Sequence, residues 1–125
     1  MVDAVAVPRD VAARLRTICL ALPESYEEPA WLGFRWRIRN RNFAHVWSVE
    51  RPAGMLTAVW LWSLPPERDV LVRSGLPFFK PRHGKYVVGM VLDDRTDWTE
   101  VGELLTDSYC VHAPKKLAAM VAPPG

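Results

Sequence analysis

The chain has 125 residues, half of them hydrophobic, and a formal net charge of +2. That length and apolar content suit one domain with one substantial core, and the sequence holds no internal repeat and no low-complexity tract. Two cysteines, no apolar run of membrane-spanning length and no basic segment ahead of an apolar N-terminal stretch argue against a disulfide scaffold, a membrane span and a signal peptide. Cys19 and Cys110 are therefore expected as reduced thiols in a cytoplasmic protein. The small net charge hides a segregated layout. Residues 31–51 carry five arginines against Glu50, and residues 73–85 carry Arg73, Lys80, Arg82 and Lys85 with no acid. Residues 93–107 carry six acids against Arg95. Such segregation bears on partners, not on fold.

A first helix is expected over residues 8–21, opened by Pro8, with Val11, Leu15, Ile18, Cys19 and Leu22 on one apolar stripe and Pro23 as its stop. Residues 23–29 read as an acidic connector carrying Glu24, Glu27 and Glu28. Residues 34–43, F-R-W-R-I-R-N-R-N-F, then alternate with period two. A strand sends Phe34, Trp36 and Ile38 to one face and Arg35, Arg37 and Arg39 to the other. With a turn at Asn40-Arg41, the return strand over 42–49 sets Phe43 beside Ile38, His45 beside Trp36 and Trp47 beside Phe34. That register buries His45 and Trp47 on the side away from the arginines, and makes His45 a structural histidine.

Arg51-Pro52-Ala53-Gly54 turns the chain into a third strand over 56–62, apolar on both sides and so interior to the sheet. Pro65 and Pro66 open a short helix through Ser74, with Gly75 at its C-terminal cap. Residues 78–80 read as a short strand, Arg82-His83-Gly84 as a turn and 85–92 as a strand. Asp97-Trp98-Thr99-Glu100 has the form of a capping box, and the helix behind it runs to His112 with Trp98, Val101, Leu104, Leu105 and Tyr109 inward. Pro114 ends that helix or starts a short final one containing Leu117, Met120 and Val121. The order α-βββ-α-ββ-α predicts an α+β two-layer sandwich, a five-stranded antiparallel sheet with helices on one face. The domain is expected over 8–122, with flexible termini at 1–7 and 123–125.

Several stretches taken in series resemble the MmcQ/YjbR family. They are L-P-E-S at 22–25, Trp31, F-R-W-R-I and N-F-A in the first hairpin, H-G-K-Y-V at 83–87, D-W-T-E-V at 97–101 and S-Y-C-V-H-A-P-K-K-L at 108–117. The resemblance spans roughly 10–120 and implies a CyaY-like α/β sandwich and a DNA-binding role through a proposed double-wing surface. Many members carry glycine in the first hairpin turn where this chain has Asn40-Arg41, which adds charge at a wing tip. CyaY-like folds also include an iron-binding branch with an acidic first helix. Here that helix holds Asp10 among three arginines, so iron binding is not carried over.

Arg35, Arg37, Arg39 and Arg41, with Lys80, Arg82 and Lys85, are the candidate phosphate contacts, because cations that neutralise phosphates supply most nucleic-acid affinity. The bland alternative is a solvated sheet face. Trp31, His83, Tyr86, Lys115 and Lys116 are accessory candidates, although the two lysines also suit the C-terminal dipole of the long helix. Trp36, Trp47, Trp60 and Trp62 would stack on bases if exposed, but the facing derived above places Trp36 and Trp47 in the core. No metal-ligand spacing joins His45, His83 and His112, and no motif activates Ser25, Ser108, Cys19 or Cys110. No enzymatic role, cofactor or metal is expected. The reading is a DNA-binding module. Its rivals are an adaptor for an acidic protein partner and a small-molecule-binding domain.

Overall fold

A computed structural model describes residues 3–31, 33–82 and 84–121. The elements run β1 (Asp3–Val5), α1 (Arg9–Leu20), β2 (Tyr26–Ala30), β3 (Gly33–Ile38), β4 (Arg41–Arg51), β5 (Gly54–Trp62), α2 (Glu67–Arg73), β6 (Phe78–Phe79), β7 (Val87–Leu92), α3 (Trp98–His112) and α4 (Lys115–Val121). The strands form one antiparallel sheet ordered β2-β3-β4-β5-β7-β6, with β1 paired to β4. The α+β two-layer architecture is as expected, but the sheet has seven strands among the described residues and not five.

The two added strands come from stretches read as irregular. Residues 1–7 were expected to be loose. Instead Asp3–Val5 pairs with Ser48–Glu50, and Val7 is buried. The acidic connector is edge strand β2, whose Glu27 and Glu28 lie opposite Trp36 and Arg35. Pro29 is tolerated because an edge strand has one unpaired side. Residues 3–7 are thus tied to the sheet, and 123–125 lie outside the described residues.

The core is built on one sheet face. Trp36, Ile38, Ala44, Val46, Val59, Leu61, Val88 and Met90 meet Leu15, Cys19, Val101, Leu105, Tyr109 and Leu117 from the helices. Asp97 caps α3, its carboxylate accepting from the Thr99 N–H at 3.0 Å and the Glu100 N–H at 3.3 Å. Tyr109 fixes α3 to the start of the sheet. Its hydroxyl donates to the Pro23 carbonyl at 2.7 Å, and its ring meets Phe43 edge-on at 5.5 Å.

The first hairpin corrects the expected register. Ile38 pairs with Arg41, so the turn is Arg39-Asn40, and both residues take positive φ, 50° and 65°. Two successive left-handed residues make a type I′ turn, whose twist matches a hairpin. Arg37 then pairs with Asn42 but Trp36 pairs with Ala44. Phe43 is the extra residue of a β-bulge, and both Phe43 and Ala44 point into the core. Beyond the bulge Arg35 pairs with His45, so His45 and Trp47 share the arginine face and are not in the helix-covered core.

Candidate nucleic-acid interface on the open sheet face

The uncovered face is legible as rows of paired residues. One row crosses six strands as Glu28, Arg35, His45, Trp60, Gly89 and Phe79. Glu28 and Arg35 form an ion pair at 2.7 Å, and His45 meets Trp60 edge-on at 5.4 Å. The Phe79 ring lies directly over Gly89, where a Cβ would collide with it. A second row, nearer the bulge-free end of β4, brings Trp47 beside Ala58. Trp47 contacts both Trp60, at 5.7 Å between centroids, and Trp31, at 6.2 Å. Trp31 is 57% exposed and holds φ 48°, an unusual conformation for a bulky side chain. Trp31, an accessory candidate from the sequence, is the most exposed residue of this aromatic group.

The arginine row is not a free cationic surface. Glu28 accepts from Arg35 at 2.7 Å and from Arg37 at 3.2 Å, and Arg39 pairs with Glu24 at 3.0 Å. Hydrogen bonds from the two guanidiniums hold the Glu28 carboxyl below the usual carboxylate range. Arg37 also donates to the Asn40 carbonyl at 2.6 Å, bracing the turn. Three of the four arginines therefore have acids of β2 and its approach as partners. Arg41, Lys80, Arg82, Lys85, Lys115 and Lys116 are exposed and, among the described residues, make no ion pair. The Lys85 ammonium sits 5.5 Å from the centroid of the half-buried Tyr86 ring. His83 lies outside the described residues.

Arg41 pairs with the core residue Ile38 and so points to the helix-covered side, whereas Arg82 belongs to one feature of the open face. A cavity of about 290 Å³ opens on this face between Asn42, His45, Trp60, Trp62, Arg82 and Val87. The bulge explains its position. In a regular strand every second side chain faces the same way. Because Phe43 and Ala44 both turn inward, the open face shows Asn42 and then His45, one residue further apart than the pleat would give. Asn42, His45 and Trp60 line it, but their Oδ1, Nε2 and Nε1 atoms are buried away from its open space and have no protein partner. Burial holds the His45 imidazole below its ordinary range. A backbone hydrogen bond with Ala30 opposes this, and the Arg35 charge reinforces it. His112 is lowered likewise, by burial and then by Arg41, which places Arg41 near the C-terminal end of α3.

Sequence reasoning missed His45, Trp47, Trp60 and Asn42 as members of the open face. Only the register separates the faces, and the bulge that sets it leaves no local signature. Among the described residues, no group of three His, Cys, Asp or Glu side chains is gathered to hold a metal ion. Asp93 and Asp97 are engaged in turn and cap bonds instead. No helix of the described residues is long and apolar enough to cross a membrane. The YjbR family model matches residues 20–111, which include every strand from β2 to β7 and nearly all of α3. No curated protein matches the chain.

Proposed function

Because the chain belongs to the YjbR family, with its cations and aromatics laid out as above, we propose that it is a DNA-binding module that works without catalysis through the open face of its sheet. The observation that carries this reading is the placement of the cations that have no acid partner. Arg82 lines an aromatic cavity on the uncovered face, Lys80 and Lys85 lie in the segment leading to β7, and Arg41 stands exposed beside the first hairpin turn. Guanidinium and ammonium groups without carboxylate partners are the ones available to phosphate. Arg35, Arg37 and Arg39 serve the hairpin itself, and contact with DNA is assigned chiefly to the unpaired set, with Lys115 and Lys116 as accessories. The non-catalytic part of the reading is supported by the nucleophile candidates. Burial raises both the Cys19 and the Cys110 thiol, and the Ser108 hydroxyl is committed to two backbone groups.

The test is fluorescence anisotropy with labelled random duplex and single-stranded DNA at two salt concentrations. Binding that weakens steeply with salt is expected. Absence of any shift at low salt would sink the reading. Recovery of an acidic protein by the same face would then favour the adaptor role. The cavity itself favours a second reading, a small-molecule-binding domain, if isolated nucleotides or other small ligands bind where DNA does not.

A further inference from the structure

A second cavity lies between α2 and α3, on the helix-covered side of the sheet, and none of the cations assigned to DNA above lines it. From its walls we infer a binding site for a small organic cation: a compact apolar or aromatic body carrying one protonated amine. This site does not depend on the DNA-binding reading.

Helical spacing builds two of the walls. Glu67, Val70 and Leu71 stand three and four residues apart and share one face of α2, and Leu104 and Asp107 share one face of α3. The end of β5 and Pro66 complete the lining. Leu71 and Leu104 pack against the core and anchor the two helices, whereas Val70 is 62% exposed. Apolar surface is thus left open between the helices. The volume, about 290 Å³, lies at the small end of ligand pockets, roughly 300–1,000 Å³, and suits one ring, not an extended ligand.

Charge selects the occupant. Glu67 and Asp107 line the cavity, and no Lys, Arg or His side chain does. Glu103 stands one helical turn before Asp107 on the same side of α3. None of these three acids makes an ion pair among the described residues. They act on one another instead. Burial, and then the charges of Glu67 and Glu103, push the Asp107 carboxyl up. Glu67 is therefore within electrostatic reach of Asp107 across the cavity. Like charges beside an apolar wall repel an anion and are relieved by a cation. A metal ion fits poorly, because calcium takes roughly six to eight oxygen ligands. Among the described residues no group of three His, Cys, Asp or Glu side chains is gathered for one. A protonated amine needs only one or two carboxylates for its N–H donors, and its apolar body covers the open side of Val70.

Backbone amide shifts of the intact, isotope-labelled protein, followed by NMR during titration with phenethylamine, test this site. Phenylethanol and phenylpropionate serve as the neutral and anionic counterparts of similar size, and methylammonium as the charge without the ring. Phenethylamine should shift amides of residues 61–63, 67–71 and 103–107. It should bind about tenfold tighter than phenylethanol, because two partly exposed carboxylates each contribute about threefold. Phenylpropionate should shift none of these amides, and methylammonium should bind at least about tenfold more weakly than phenethylamine for want of apolar contact. Asp107→Asn and Glu67→Gln keep the side-chain size and remove one charge each. Each should weaken phenethylamine by about threefold and leave phenylethanol unchanged. Asp94→Asn, outside the cavity lining, should alter neither. An equal loss in that variant would assign the effect to overall charge and overturn the site. Phenylethanol or phenylpropionate binding as tightly as phenethylamine overturns recognition of the cation. Shifts confined to other residues, or no shift at all, overturn the site itself. The comparison of ligands on the wild-type protein decides the matter even if a variant fails to fold. No residue of this cavity is assigned to DNA, so none of these outcomes bears on the DNA-binding reading.

Discussion

The Ser108 hydroxyl donates to the Phe43 carbonyl and accepts the Trp62 N–H at 2.8 Å. Both backbone groups are of the kind that a bulge or a strand end leaves without a ladder partner. One fully buried hydroxyl thus supplies what the β4 bulge lacks. Ser108→Ala strands both groups and should destabilise the protein by about 1–3 kcal/mol, since an unpaired buried donor or acceptor costs that much. Urea denaturation measures it, and a change within experimental error would mean that the bulge does not depend on this contact. Two histidines add a pH dependence. His45 and His112 are both held below the ordinary imidazole value of 6.5, chiefly by burial. Between the lowered folded values and 6.5 the unfolded chain binds more protons than the folded one. Stability is therefore undiminished by these groups above that window, falls as pH drops through it, and levels off below the folded values. The melting temperature should be lower at about pH 5.5 than at about pH 7.5. The double variant His45→Gln, His112→Gln should flatten that difference. An unchanged slope in the double variant would assign the pH dependence to other groups.

At the scale of elements, the first hairpin separates what local pattern can and cannot say. The alternation of Phe34, Trp36 and Ile38 against Arg35 and Arg37 was legible, because it depends only on the pleat of one strand. The helices were legible from caps and apolar spacing, as at Asp97. The return strand was not, because Phe43 and Ala44 are consecutive inward residues and fit either register until the bulge is known. What holds the bulge, Ser108, lies 65 residues away. Likewise β1 forms only because β4 extends past β3 and leaves Ser48–Glu50 an open edge. Strand β2, Y-E-E-P-A, has little intrinsic strand preference, and its pairing is supported by Glu28 meeting two arginines of β3. Each misplaced residue of the candidate site follows from the same cause: His45 and Trp47 were placed by pattern, but their face is set by register. The turn offers a direct check. Arg39 and Asn40 both sit at positive φ, where an L-residue other than Gly, Asn or Asp is disfavoured by about 1–2 kcal/mol. Replacing Arg39-Asn40 by Asn-Gly suits a type I′ turn. It should raise stability by about 1 kcal/mol, less any small contribution of the exposed Arg39–Glu24 pair. If the pair of substitutions lowers stability in denaturant melts, the turn is not where the pairing puts it.

For the whole molecule, the arrangement divides the cations into two classes. Those along β3 are neutralised within the fold, so the most conspicuous basic stretch of the sequence contributes little to the outward field. Those at the start of β4, in the approach to β7 and at the start of α4 have no such partners among the described residues. Counterion release makes the two classes separable. Each cation that contacts a duplex phosphate adds about 0.9 to the slope of log affinity against log salt concentration. Arg41→Ala combined with Arg82→Ala should therefore reduce the magnitude of that slope by about 1.8. Arg35→Ala combined with Arg37→Ala should leave the slope nearly unchanged, because Glu28 already holds both guanidiniums. The converse variant sharpens the distinction. Glu28→Gln keeps the size of the side chain but removes its charge, freeing two cations on the open face, and should tighten DNA binding and steepen the slope by up to about 1.8. Circular dichroism on each variant separates a lost contact from a lost fold. Should the Arg35, Arg37 variant flatten the slope as much as the Arg41, Arg82 variant, DNA would be competing successfully with Glu28. The division of cations into internal and outward sets would then fail.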